Sequence, residues 1–396
     1  MSKSNWKDIR IKLGSAIIVA TLTLVVGIVI GVKWNDFAPY LGAKKSGSSA
    51  SISWNALDEV YSALIKNYDG EVDKSAVIEG AKKGIVDSVG DQYTVYMTKE
   101  ESVEFNKSLH GDVGAGIGIE MGLRDGYVRV IRTLPDNPAR KAGVMAGDII
   151  YKVDDEEVYT WDAEKISEVL RGSAGTSVKL TVVRDGEEKS FDLVRETINN
   201  VSAYYDFKGD KTAVITITRF DDDTGALVAS FADDILNHDT KKIILDLRGN
   251  GGGYVSAAKD LLGLWLDGEK VLIQRSKLSS SDELTYTPRG KAVFANTKTV
   301  VLVNGNTASA SEITVGALKD YKKATIIGEK TFGKGVVQVM ENLSGGTTLK
   351  VTSAHWYTPL GNSINETGIE PDMEVINTYD DTNHSRDPQM DAALAY

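Results

Sequence analysis

The spacing of apolar residues changes character along the chain, and each change marks a boundary. Leu13 to Val32, "LGSAIIVATLTLVVGIVIGV", holds twenty residues without a charge, the length that spans a hydrocarbon core. From Trp54 to His110 the period is helical. "WNALDEVYSALIKNY" sets Leu57, Val60, Tyr61, Leu64 and Ile65 on one face, and "DKSAVIEGAKKGIVDSV" predicts a second helix capped by Asp73 or Ser75. Between Gly111 and Arg195 the pattern shortens to β-runs such as "AGIGIEM", "GYVRVIRTL" and "DIIYKV". "VVRDGEEKSFDL" predicts a hairpin turning at Asp185-Gly186, and one helix, "DAEKISEVLRG", interrupts the strands. From Val201 onward strands alternate with helices: "TAVITITRF", "TGALVASFADDILNH", "KKIILDL", "YVSAAKDLLGLWL", "TVVLV", "SASEITVGALKDY", "ATIIG". That alternation predicts an α/β layer. The chain closes on a polar stretch and a short helical "QMDAALAY".

The flanks orient the first segment. Lys3, Lys7, Arg10 and Lys12 precede it against one Asp8, which leaves the N-terminus in the cytoplasm and sends the remainder outward. A cleaved signal peptide, releasing a secreted form, is the alternative. "LGAKKSGSSAS" then reads as a linker. The net charge of −11 argues against a nucleic-acid binder. There are no cysteines, which removes disulfides, thiolate metal sites and cysteine nucleophiles. The four histidines are scattered, with no HExxH pair, so no metal site is expected.

Two glycine loops carry the chemistry. "GEKTFGKG" places Gly328, Gly333 and Lys334 like a phosphate-binding loop, yet Gly335 stands where that loop needs Ser or Thr for magnesium. "LDLRGNGGGYVSAAKD" has Tyr254 at the sixth position of a dinucleotide fingerprint, and no acidic residue closes the next strand. Two readings of it stay open: a tight turn, or amides exposed at a helix start to hold an oxyanion. In "VLVNGNTASASEI" a strand ends, a turn follows, and Thr307, Ser309 and Ser311 precede a helix as caps or as a nucleophile. His355 in "SAHWYTP" reads as a half-buried strand residue. Lysine replaces histidine as base where desolvation lowers its pKa. Lys334, in the apolar and glycine-rich "TFGKGVVQV", fits that role toward Ser309, with Gln338 four residues on as a hydrogen-bond partner for the amine.

"SASEI…ALKDYKKATIIGEKTFGKGVVQ", with "IILDLRGNGGG" upstream and "YTPLGNSINETGIEPD" downstream, resembles the carboxyl-terminal processing (tail-specific) serine peptidases from about Trp54 to Val375. The resemblance implies Ser309 as nucleophile, Lys334 as base, Gln338 as third member, and a structural role for Asp320. Thr307 departs from the serine usual at that position. It also implies a PDZ domain inserted between a helical N-terminal region and a crotonase-like or Clp-like α/β core. "GAGIGIEM" then looks like the PDZ carboxylate-binding loop, with the amides around Gly116, Ile117, Gly118 and Ile119 receiving a peptide C-terminus. The expected order is a cytoplasmic tail (1–12), a transmembrane helix (13–33), a linker (34–52), a helical region (53–110), the PDZ domain (111–196), the protease core (197–378) and a C-terminal tail with a short helix (379–396).

The expected function is therefore that of a membrane-anchored, extracytoplasmic serine endopeptidase that recognises proteins by a free, apolar C-terminus. Ala310 and Gly252 are the expected oxyanion donors, and Arg171 the expected coupling residue between PDZ domain and protease. The expected partners are peptide substrates, a regulatory protein at the PDZ domain and a second copy of the chain. No cofactor is called for. The competing readings are a catalytically inactive PDZ adaptor at the membrane and a nucleotide-dependent enzyme using residues 328–335.

Overall fold

The computed structural model describes residues 54–124, 126–276, 283–378, 381 and 386–396. The expected membrane-spanning segment, residues 13–33, lies outside them. Among the described residues no helix is long and apolar enough to cross a membrane.

The chain divides into two compact units, Met1–Val77 and Ile78–Tyr396. In the first, the helix Asn55–Asn67 leaves Leu57, Val60, Leu64 and Ile65 exposed, so its apolar stripe lies open. The helix Lys74–Asp87 starts where expected, with Asp73 Oδ1 accepting from the Ser75 amide at 2.8 Å.

The second unit holds two cores. The α/β core is built on a six-stranded sheet in the order Ala203–Lys208, Thr212–Ile217, Lys242–Asp246, Lys298–Val303, Thr325–Gly328, Met373–Glu374. Only the first pairing is antiparallel; the others are parallel, each reached through a crossover. Alternate residues face opposite sides. Ile215, Ile243, Leu245 and Val301 pack under the helices Thr224–Asn237, Val255–Leu262 and Ala310–Asp320. Val214, Ile244, Val300, Leu302 and Ile327 pack on the other side against Ala393 of the helix Pro388–Ala395. Two covered faces explain why these strands read as continuous apolar runs. The C-terminal helix is thus a lid on the sheet as well as a tail, tied by Lys242 Nζ to the Ala393 and Leu394 carbonyls at 3.0 and 2.6 Å.

A second, antiparallel sheet escaped the sequence pattern. Thr348–Tyr357 is its centre, joined by Val95–Met97, Val336–Asn342 and Leu272–Arg275, with Glu283–Tyr286 beyond. It brings the segment around Tyr93 beside residues 334–338.

The β-rich module has its own core around Ile117, Val130, Ile150, Ile166, Leu180 and Val182. Its sheet runs Ile119–Arg124, Tyr127–Thr133, Ile149–Val153, Ser177–Arg184, Glu187–Val194, all antiparallel. The hairpin turns at Asp185 (φ 54°) and Gly186 (φ 79°), as the two-residue turn requires. The fully buried Asp148 carboxylate takes Arg184 Nε at 2.6 Å and Nη2 at 2.7 Å, a two-pronged pair that pins two strands.

Candidate active site and peptide cleft

Ser309 sits where the strand Lys298–Val303 hands over to the helix Ala310–Asp320. Its φ of 57° and ψ of −118° are a strained conformation for a residue with a side chain. Neighbouring hydrogen bonds impose it. Thr307 Oγ1 donates to the Leu247 carbonyl at 2.9 Å, and Asn304 Oδ1 accepts from the Gly249 amide at 2.9 Å. The carbonyl of the fully buried Asn250 accepts from the Ala308 amide and from Ser311 Oγ, both at 3.0 Å. The three hydroxyl residues of the turn thus divide their work: Thr307 and Ser311 fasten it to the glycine loop, and Ser309 alone stays half-exposed.

Glu312, one turn into the helix and fully buried, was not singled out in the sequence. Its Oε1 accepts from Thr331 Oγ1 at 2.6 Å and the Gly333 amide at 2.7 Å. Its Oε2 accepts from the Ser309 and Lys334 amides, both at 2.9 Å. A single oxygen therefore separates the backbones of the two residues picked out as nucleophile and base. The lysine loop is packed too tightly for side chains: a Cβ on Gly333 would stand 2.8 Å from the Gly368 nitrogen, and one on Gly335 2.6 Å from the Asn365 nitrogen. Trp356 Nε1 donates to the Lys334 carbonyl at 3.1 Å.

This packing half-buries the Lys334 side chain and lowers its pKa below the ordinary lysine value. Desolvation is the leading cause, the Lys350 charge the next, and Glu312 opposes both. Lys350 is itself lowered by burial. Lys334 Nζ lies over the Tyr93 ring, 5.3 Å from its centroid, and among the described residues it forms no ion pair and no hydrogen bond to Ser309 Oγ.

Two expectations change here. Gln338 does not hold the lysine amine; its Nε2 donates to the Tyr93 carbonyl. The strand Val336–Asn342 begins only after Lys334, and its register shifts between Val337 and Gln338, so the alternation that put both on one face does not hold. Nor is the Gly252 amide free for an oxyanion, because it donates to Asn250 Oδ1 at 2.8 Å. Gly252 serves as a spacer: a Cβ there would stand 2.7 Å from Ser309 Cβ and 2.9 Å from the Ala310 nitrogen. Among the described residues the Gly251, Gly253 and Ala310 amides have no acceptor outside their own element. Asp320, in keeping with a structural role, accepts from the Leu360 amide at 2.8 Å.

The β-rich module contributes a cleft of about 310 Å³ between its first long strand and the helix Ala163–Leu170. Gly116, Ile117, Gly118 and Ile119 line it, with Leu134 and Leu170 as apolar walls. The Ile117 and Gly118 carbonyls are engaged by the Ala139 and Leu134 amides, each at 2.9 Å, while their own amides have no acceptor among the described residues. Gly118 (φ 77°) passes so close to Asn137 that a Cβ would stand 2.2 Å from the Asn137 Cβ. Arg195 fixes the helix end by donating to the Val169 and Leu170 carbonyls at 2.8 and 3.1 Å. Arg171 lines the cleft and is exposed. Thr218, Arg219 and Gly249 of the α/β core also line it, which the sequence did not reveal.

Comparison with known proteins agrees with this arrangement. The profile of peptidase family S41 matches residues 211–375, that of the PDZ domain residues 115–194, and that of the activating protease CtpB N-terminal domain residues 33–101. The chain is 34% identical over 370 residues to a probable CtpA-like serine protease of Staphylococcus aureus (strain COL), covering 93% of this chain and 72% of that one. A probable CtpA-like serine protease of Staphylococcus epidermidis is 33% identical over 372 residues, covering 93% and 73%. Among solved structures, a photosystem II D1 C-terminal processing protease superposes with a TM-score of 0.55 at 27% identity, over 86% of this chain and 92% of that one.

Proposed function

The chain belongs to peptidase family S41 and is a serine peptidase with a PDZ domain, and from that premise we propose that it cleaves proteins with a Ser309–Lys334 dyad after capturing their free C-terminus in the PDZ cleft. The observation that carries the reading is the Glu312 carboxylate, whose Oε2 accepts both the Ser309 and the Lys334 amide. It keeps nucleophile and base neighbours whatever their side chains do.

In the reaction Lys334, with its proton affinity reduced by burial and by Lys350, leaves the Tyr93 ring and takes the proton of Ser309 Oγ as that oxygen attacks the peptide carbonyl. The Ala310 amide and that of Gly251 or Gly253 receive the oxyanion. The protonated lysine then gives its proton to the leaving amine. Water hydrolyses the acyl-enzyme, Lys334 again acting as base. Gln338, donating to the Tyr93 carbonyl, anchors the strand Val336–Asn342 to the segment around Tyr93 beside the lysine.

The apolar walls of the cleft favour an apolar terminal residue, and Arg171 at its mouth relays occupancy to the core. Residues 13–33 anchor the chain in the membrane with the catalytic part outside. The open stripe of Leu57, Val60, Leu64 and Ile65 pairs with a second copy. Digestion of an unfolded protein such as casein, comparing the chain with Ser309→Ala, tests the assignment. Loss of cleavage by about 10⁶-fold with peptide binding retained is expected. Unchanged cleavage removes Ser309 as nucleophile, and a parent chain that binds peptide but never cleaves supports the adaptor reading instead.

A further inference from the structure

A PDZ-type loop offers a peptide carboxylate its backbone amides, which leaves open where the balancing positive charge comes from. Among the described residues three arginines line the cleft: Arg132, Arg171 and Arg219. Arg132 is engaged by Glu120, its Nε 2.6 Å from Oε2. Arg171 is solvated. Arg219 resembles Arg132 in being 18% exposed and paired with a carboxylate. It differs from both in origin, and two of its nitrogens, against one in Arg132, are buried without an acceptor among the described residues.

It belongs to the α/β core, following the strand Thr212–Ile217, and its side chain is only 18% exposed. Nη2 lies 2.7 Å from Asp221 Oδ2 and 3.5 Å from the His110 carbonyl. Nε and Nη1 are buried and have no acceptor among the described residues. Native proteins seldom leave buried donors without acceptors, and a guanidinium carries five that it cannot shed by losing a proton. Gly111 (φ 69°) packs directly against the guanidinium: a Cβ there would stand 2.2 Å from Arg219 Cζ. A cation held in place, with donors unspent, thus borders the same cleft as the open Ile117 and Gly118 amides.

We propose that Arg219 supplies the counter-charge for the terminal carboxylate of the bound peptide, so that the carboxylate seat is a composite of the PDZ loop and the protease core. This rests on the reading of the cleft as a C-terminus receptor. The seat adjoins the catalytic turn through the backbone: the Phe220 amide donates to the Gly252 carbonyl at 2.9 Å and the Tyr254 amide to the Phe220 carbonyl at 2.8 Å.

The experiment uses the full chain carrying Ser309→Ala, so that the probe survives. One fluorescein-labelled octapeptide ending in leucine is titrated as the free acid and as the C-terminal amide, with fluorescence anisotropy as readout. The parent is expected to favour the acid by about tenfold or more, the size of one charge-assisted hydrogen bond. Arg219→Gln is expected to weaken the acid alone and bring the ratio near one. Arg219→Lys keeps a partner for Asp221 and retains part of the preference, which separates lost charge from misfolding. Arg171→Gln leaves the ratio unchanged. An undiminished ratio in Arg219→Gln, a ratio lost in Arg171→Gln instead, or Arg219→Lys losing affinity for acid and amide alike overturns the proposal. A parent that binds neither peptide overturns the C-terminus reading itself, before any arginine is changed.

Discussion

The peptide cleft and the catalytic turn both set a cation beside glycine-rich backbone, and they treat it in opposite ways. In the cleft Arg219 has Asp221 at 2.7 Å and Arg132 has Glu120 at 2.6 Å, a carboxylate at contact distance for each guanidinium. At the turn Lys334 faces the Tyr93 ring, packed glycines and the field of Lys350, and its protonated form is disfavoured. Glycine serves each purpose differently. At Gly118 it lets a loop bend with its amides free; at Gly333 and Gly335 it lets the lysine loop close against the backbone of residues 365–368. The difference teaches that a buried cation becomes a binding group or a base according to what surrounds it: a carboxylate at contact distance, or a second amine.

Making the lysine site resemble the cleft gives the largest effect. Lys334→Arg puts a permanently charged guanidinium where a base is needed, and kcat is expected to fall about 10²–10⁴-fold with peptide affinity in the cleft unchanged. Turnover at the parent rate would mean that another residue takes the proton.

Glu312→Gln comes next. Both oxygens accept two donors, and an amide –NH₂ cannot accept the pair it would face. Losing even one of that pair of charge-assisted hydrogen bonds, worth about 1.5–3 kcal/mol, corresponds to a kcat loss of at least about 10–100-fold. Steady-state kinetics should show this in kcat, with KM and cleft affinity held; a change in KM alone would sink the claim that Glu312 aligns the two amides.

The smallest effect is on the pH profile. Lys350 disfavours the proton on Lys334, so Lys350→Met is expected to raise the Lys334 pKa and move the acid limb of kcat/KM to higher pH. Activity that rises as Lys334 deprotonates then needs more alkaline conditions to reach half its maximum. An acid limb that stays in place would show that desolvation alone sets the lysine.

Much of the fold was legible because it rests on local periodicity. The turn at Asp185-Gly186, the strand–helix alternation after Val201 and the start of the helix at Ala310 follow from residues within a few positions of each other. The partners of Gln338 and Gly252 were not legible. A register shift in one strand turned Gln338 toward Tyr93, and the Asn250 side chain folded back onto the Gly252 amide. Neither event leaves a trace in spacing. Arg219 was hidden for another reason: it lies about a hundred positions from the loop with which it lines the cleft, in a different domain.

The amino-acid sequence by itself determined which groups are available, a serine at a strand-to-helix turn and a lysine between glycines, because those depend on neighbours along the chain. The tertiary structure alone decided their charge states and partners. Burial, the Lys350 field, and the meeting of Glu312 with Ser309 and Lys334 arise from distances in space, and chain order does not encode those distances.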